Sequence, residues 1–319
     1  MRYHWIKLYL LIAILTIFTY SPEQSLYAQR IPDRFYIVNP LADTNNHAKG
    51  TSWMNSITGY ANFHRFIGND TGHIYSKFLG AVTEIARIDD RWSITLFNSI
   101  EFIVDPNNDI RFNPRAITFQ EGIGVFHRGL FGSDSAWWHL GYYHRSKHDI
   151  DNSLLGTERV TIYGAFVGKM MAPYQVFGGE GMAQARCDLY MQISDNRTPD
   201  GYDDVQPLFS HLITTLGITT NWRRYMSEHI GIYAGGYAHV NLHGRTSDII
   251  RRFESVESAT LNGSVSAGIL IGNQQKTNSA NFRFGVRYEY LSDSELYQYP
   301  SPSRLWSIEF MVTHPLSIR

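Results

Sequence analysis

The chain alternates. Between 230 and 242 the even positions are Ile230, Ile232, Ala234, Gly236, Ala238, Val240 and Leu242, and the odd positions include Tyr233, Tyr237, His239 and Asn241. In 281–290, Phe282, Phe284, Val286, Tyr288 and Tyr290 alternate with Asn281, Arg283, Gly285, Arg287 and Glu289. In 259–271, Leu261, Val265, Ala267, Ile269 and Ile271 alternate with Thr260, Asn262, Ser264 and Ser266. Trp306, Ile308, Phe310 and Val312 take one face of 305–312. Successive side chains of a strand point to opposite faces, so period two predicts strands. The pattern places them near 52–66, 74–88, 91–104, 115–128, 137–148, 157–170, 175–192, 207–223, 229–243, 256–272, 279–292 and 304–314.

These runs exceed the roughly 5–6 residues usual for a soluble sandwich strand. Strands of about 9–11 residues, apolar on one face and polar on the other, are what a membrane-spanning barrel needs. Connections after 88, 170, 223 and 272 are short, whereas those after 104, 148, 192, 243 and 292 are longer and rich in Asp, Asn, Pro and Ser. Short periplasmic turns alternating with long extracellular loops, and an even strand count, are barrel rules. The prediction is an all-β, transmembrane up-and-down antiparallel β-barrel of about 12 strands.

The first segment changes where that barrel belongs. Arg2 and Lys7 precede the apolar stretch Leu8 to Tyr20, and Ser25-Leu26-Tyr27-Ala28 ends in a small residue. The stretch is shorter than the about 20 residues of a spanning helix, and reads as a secretory signal over 1–28. Residues 29–50 are then a periplasmic lead-in or a plug, and 51–319 the barrel. Export plus spanning strands implies the bacterial outer membrane.

Composition removes other classes. Twenty-eight Lys+Arg against 29 Asp+Glu, with no basic run, leave no footprint for nucleic acid. One cysteine, Cys187, cannot make a disulfide framework or a Cys-based zinc site. Glu180, Arg186 and Asp188 share the inward parity of one strand, and Arg283, Arg287 and Glu289 that of another. They read as a charge-paired lumen or as the lining of a selective pore. Trp137, Trp138, Tyr142 and Tyr143 read as an aromatic girdle. Gly122-x-Gly124 and Gly178-Gly179-x-Gly181 fall in strands with no helix following, so they relieve crowding rather than cradle phosphate.

One polar cluster falls on the lipid parity. Trp138, Leu140 and Tyr142 mark that face, and His144, Ser146 and His148 continue it. Glu121 interrupts Ile117, Phe119, Ile123 and Val125 on the preceding strand, and Glu158 shares the parity of Val160, Ile162 and Phe166 on the next. A hairpin centred near 151 would set Glu158 opposite His144. A turn near 132.5 would bring Glu121 to His144 from the other side. Ionisable groups facing lipid are costly and mark partners or function. Carboxylate, His and Ser together are the parts of an activated hydroxyl nucleophile. The candidate catalytic residues are therefore His144, Ser146, Glu158 and Glu121. His148, Asp149 and Asp151 are the candidate metal ligands, with calcium as the cation, and otherwise belong to a polar rim. No other cofactor is implied.

His144-x-Ser146, with Glu158 fourteen positions after the His, resembles the catalytic arrangement of the outer-membrane phospholipase A and lipid A 3-O-deacylase families. In both, a His-x-Ser strand is followed at that spacing by a side chain orienting the His: Asn in the first, Glu in the second. The resemblance implies a 12-stranded barrel with an outer-leaflet acyl hydrolase site on its outer wall. His144 would be the base, Ser146 the nucleophile and Glu158 the orienting acid, with outer-membrane lipids and lipopolysaccharide as partners. Those families continue the motif with Asn and Gly or Ala, where this chain has Lys147-His148-Asp149. Tyr143-His144-Arg145-Ser146-Lys147-His148-Asp149 is similar to a second group, uncharacterised outer-membrane barrels with H-x-S-S-H-x-G-D, which implies no activity. The alternative function is a non-enzymatic barrel, either a narrow channel or a structural surface protein. The sequence leaves the oligomeric state open.

Overall fold

The computed structural model describes residues 34–41, 50–68, 74–104, 116–130, 133–149, 159–196, 212–244, 256–273, 280–292 and 303–317. Twelve strands follow in chain order. They are β1 (Thr51–Ile67), β2 (Tyr75–Ile88), β3 (Trp92–Val104), β4 (Ala116–Leu130), β5 (Ser133–Asp149) and β6 (Arg159–Val176). Then come β7 (Gly179–Asn196), β8 (Leu212–Tyr225), β9 (Ile230–Gly244), β10 (Val256–Ile271), β11 (Asn281–Leu291) and β12 (Ser303–Ser317). Each pairs antiparallel with its chain neighbours, and β12 closes on β1, with Phe63 opposite Phe310. Closure leaves no unpaired edge, the condition for backbone to cross hydrocarbon.

The two parities separate as the alternation predicts. Leu140, Phe166, Ile218, Val265, Phe284 and Trp306 point outward and are exposed, with Leu140 at 59%. Such a belt would be a liability in water, but in hydrocarbon it is the matched surface. The opposite faces turn inward and are buried and polar: Glu84, Glu101, Asp188, Asn241, Glu289 and Glu309. Apolar outside, polar inside and closed, the protein is an integral β-barrel of the bacterial outer membrane. The short turns and both ends of the barrel chain lie at one rim, the periplasmic one, and the long connections at the other.

Strand ends moved from their predicted positions, most at β6–β8. β6, expected to end near 170, runs on to Val176. Its turn to β7 is Phe177-Gly178, both with positive φ (52° and 67°), the geometry of a two-residue hairpin. Gly178 therefore serves a turn, not a strand. Trp137 and Tyr143, expected in an aromatic girdle, are buried and face the lumen, because they carry the odd parity of β5. Trp138 and Tyr142 face outward.

The lumen is filled. Residues 34–41 run inside the barrel, with Arg34, Phe35, Tyr36 and Leu41 buried. Arg34 donates from Nη1 and Nη2 to Glu101 Oε2 and Oε1, each at 3.1 Å, and from Nε to Glu289 Oε1 at 2.9 Å. Burial works to lower the Arg34 pKa. The charges of Glu101 and Glu289 outweigh it and hold the guanidinium above its ordinary value. The wall also grips this segment by its carbonyls: Arg87 Nη2 donates to Pro40 O and Arg128 Nη2 to Leu41 O, both at 2.8 Å. Beside it, Arg287 Nε pairs with Glu309 Oε2 at 2.6 Å and Arg186 Nε with Asp188 Oδ1 at 2.6 Å. These inward charges are paired across the lumen, and Phe35, Tyr36, Tyr60, Phe78 and Tyr237 pack as an aromatic core around the segment.

Candidate functional site on the outer wall

β4 carries Ile117, Phe119, Glu121, Ile123 and Val125 on its odd, outward face, and β5 carries Leu140, Tyr142, His144, Ser146 and His148 on its even, outward face. The β4–β5 register sets Glu121 directly opposite His144 and Phe119 opposite Ser146. The turn near 132.5 implied that first pairing. Cβ atoms of directly opposed residues lie about 4.5–5.5 Å apart. His144 and Ser146, two apart on one strand, are separated by about 6–7 Å along it. Glu121 is exposed, and His144 and Ser146 are half-exposed. Both His144 and Glu121 lie five residues from the extracellular ends of their strands, since β5 ends at Asp149 and β4 begins at Ala116.

The other side of His144 departs from expectation. β5 pairs with β6 so that His144 faces Gly164, Ser146 faces Ile162 and His148 faces Val160. Paired positions sum to 308, not to the 302 of a hairpin centred on 151. The connection is centred near 154, three residues later than the sequence suggests, so the strand pair slides by six. Glu158 is therefore not the residue opposite His144, and it lies outside the described residues. Gly164 brings no side chain to that flank of the imidazole.

Sequence reasoning missed Asn98. It is exposed on β3 and faces Glu121 across the β3–β4 pair. Asn98, Glu121 and His144 form one cross-strand row on the outer wall. The available signal was parity: Asn98 interrupts the lipid-facing series Ile94, Leu96, Ile100, as Glu121 interrupts its own. The row lies in a depression of about 640 Å³, lined by Leu79, Ile100, Phe119, Glu121, His144 and Ser146 among others. Polar groups thus share a shallow basin with apolar walls.

Chemically, the row pairs an acid with an imidazole and sets a hydroxyl one strand step above. No hydrogen bond joins Glu121, His144 and Ser146 among the described residues; contacts at such sites commonly tighten only with substrate. His148 points outward and meets Phe119 edge to face, ring centroids 6.0 Å apart. Asp151 and the Asp149 side chain lie outside the described residues. Among the described residues, no group of three or more His, Cys, Asp or Glu side chains is placed to hold a metal ion.

No family model matches the chain, and no curated protein matches its sequence. Three solved structures show a distant overall likeness to the chain. LpxR from Salmonella typhimurium is 8% identical at a TM-score of 0.44, covering 81% of this chain and 99% of its own. The outer membrane phospholipase A from Escherichia coli is 7% identical at 0.44, covering 81% and 92%. An outer membrane channel from Pseudomonas putida F1 is 10% identical at 0.40, covering 86% and 100%. At such identities and scores the likenesses assign no residue and no activity to this chain.

Proposed function

We propose that the protein is an outer-leaflet lipid acyl hydrolase, with Ser146 as nucleophile, His144 as general base and Glu121 as the acid that orients the imidazole. The observation that carries this reading is the direct pairing of Glu121 with His144 on the lipid-facing wall, one step from Ser146. His144 takes the Ser146 proton as Oγ attacks the ester carbonyl carbon. The tetrahedral intermediate then collapses, and His144 returns the proton to the departing alcohol oxygen. Water, deprotonated by His144, then attacks the acyl carbon, and His144 returns that proton to Ser146 Oγ as the fatty acid leaves. Leu79, Ile100 and Phe119 offer an apolar wall to the acyl chain, and Asn98 can donate to an ester oxygen. Glu121 takes the orienting role first given to Glu158, because the β5–β6 register sets Gly164 opposite His144.

The substrate class is phospholipid or the lipid A of lipopolysaccharide, since the outer half of the wall meets that leaflet. Acyl release by the refolded protein, with and without calcium, tests the reading beside Ser146→Ala. Release that vanishes in the variant while the barrel stays folded supports it. No release from either lipid sinks it.

The alternative is a non-enzymatic barrel. Of its two forms, the occupied lumen favours a structural surface protein over a channel, because Arg34 and its acids stand where a water path would run.

A further inference from the structure

A patch of one charge sign lies high on the outer wall, over β12, β1 and β2. β1 rises from the periplasmic rim, so Arg65 stands two residues from its extracellular end, Lys77 two residues into β2 and Arg304 one residue into β12. All three are exposed and outward, on the parity of Phe63, Leu79 and Trp306. No Asp or Glu shares the described outward faces of β11, β12, β1 and β2: Glu84, Glu289 and Glu309 are buried on the luminal side. Among the described residues none of the three cations forms an ion pair. Arg186 and Arg287, by contrast, each hold an acid in the lumen.

The spacing suits a shared anion. Across β1–β2, Arg65 is paired with Tyr75 and Lys77 with Phe63, so the two cations are diagonal neighbours on one face. Such neighbours lie about 7–8 Å apart, and their long side chains can close on one anion. Two like charges this near repel, and an anion between them reverses the sign of that contact. The arginine is already held for the purpose. Its Nη1 donates to the Ile74 carbonyl at 3.3 Å, and its guanidinium carbon lies 4.6 Å from the Tyr75 ring centroid. One of five N–H donors is used, and carbonyl and ring fix the fork. Arg304 adds a third charge: Arg65 is paired with Ile308, four positions further along β12, which is about 13 Å. Phe63 against Tyr75, 5.4 Å between centroids, and Trp306 against Tyr288, 5.0 Å, flank the patch with rings suited to headgroup depth.

We propose that this patch binds lipopolysaccharide through the phosphates of its lipid A, with one phosphate between Arg65 and Lys77 and Arg304 on the remaining headgroup charge. The occupant follows from charge and depth. The extracellular rim meets the outer leaflet, and three cations without an acid, above an apolar wall, match a lipid that carries more than one phosphate. A guanidinium takes phosphate oxygens in a two-pronged bond, and Lys adds a point charge. A phospholipid with a single phosphate leaves Arg304 unmatched. Leu79, Ile308 and Phe310, exposed below the patch, receive the acyl chains. The site holds lipid without turnover, so it stands whether or not the row from Asn98 to His144 is catalytic.

The test is native mass spectrometry of the refolded protein in neutral detergent, titrated with bisphosphorylated lipid A, with the same lipid A stripped of phosphate, and with phosphatidylglycerol. Ser146→Ala is run beside it, so that acyl release is not read as failed binding. One lipid A per barrel is expected, at least ~10-fold tighter than either other lipid, because charge-assisted bonds go with the phosphates. Arg65→Gln and Lys77→Gln should each weaken lipid A at least ~5-fold, and Arg304→Gln by a smaller factor. All three side chains are exposed, so the barrel should fold unchanged. Equal retention of the stripped lipid would mean that the apolar belt alone binds, and equal retention of phosphatidylglycerol that any anionic lipid serves. Either result overturns the assignment, as would Arg65→Gln and Lys77→Gln barrels that hold lipid A as the parent does.

Discussion

Arg34 and Glu101 form a two-pronged ion pair inside the barrel, both contacts at 3.1 Å and both side chains at most 3% exposed. A third contact, from Arg34 Nε to Glu289, ties the luminal segment to a second strand. One residue of that segment thus bridges acids from β3 and β11. Without it, two carboxylates would stand buried with the neutral donors Ser76 and Tyr237 on them.

Arg34→Ala is expected to destabilise the barrel by about 3–5 kcal/mol, the cost of breaking a buried pair from one side. Denaturant unfolding in detergent, followed by the gel mobility of the folded barrel, measures it. The same variant should raise single-channel conductance in planar bilayers, because residues 34–41 lose their anchor. A variant as stable and as silent as the parent would mean that the carbonyl contacts of Arg87 and Arg128 hold the segment alone.

Ser146→Ala should abolish acyl release with unfolding unchanged, since its half-exposed side chain packs no core. Glu121→Gln should keep the fold and lower kcat by roughly 10²- to 10⁴-fold, as for loss of a group that orients a catalytic base. Glu158→Gln is the control for orientation by the residue the sequence first suggested. A larger loss there than in Glu121→Gln would return the role to Glu158.

Leu140→Arg places a charge in the lipid-facing belt, beside Val125 and Gly168 of the neighbouring strands. The expected cost is about 2–4 kcal/mol near the midplane, read as lost folding into bilayers. Detergent-soluble yield should suffer less than bilayer folding. Equal tolerance in bilayers would contradict the outward placement.

Gly124 is paired with Gly141 across β4–β5, and a side-chain carbon there would collide with the imidazole of His139, which leans over it from two positions along. Gly124→Val should cost about 1–3 kcal/mol by overpacking. Pairing it with His139→Ala should recover part of the loss, which a thermal melt of the double variant would record.

Much of the wall was legible in single residues. Trp138, Leu140 and Tyr142 named the outward face of β5, and so placed His144 and Ser146 outside before any pairing was known. Glu121 announced itself by breaking an apolar series, and Asn98 carried the same signal unread. The β5–β6 partner was not legible. Nothing in 150–158 states where that connection turns, and three residues of error in its centre moved the residue opposite His144 from Glu158 to Gly164.

By itself the sequence determined which residues make strands, how many strands there are and which side chains meet lipid, because alternation is a local property of extended backbone. Only the tertiary structure decided who faces whom. Register depends on loop geometry, and the meetings of Arg34 with Glu101 and with Glu289 join residues far apart in the chain. Those contacts exist only once closure of the barrel has fixed the lumen into which the segment 34–41 fits.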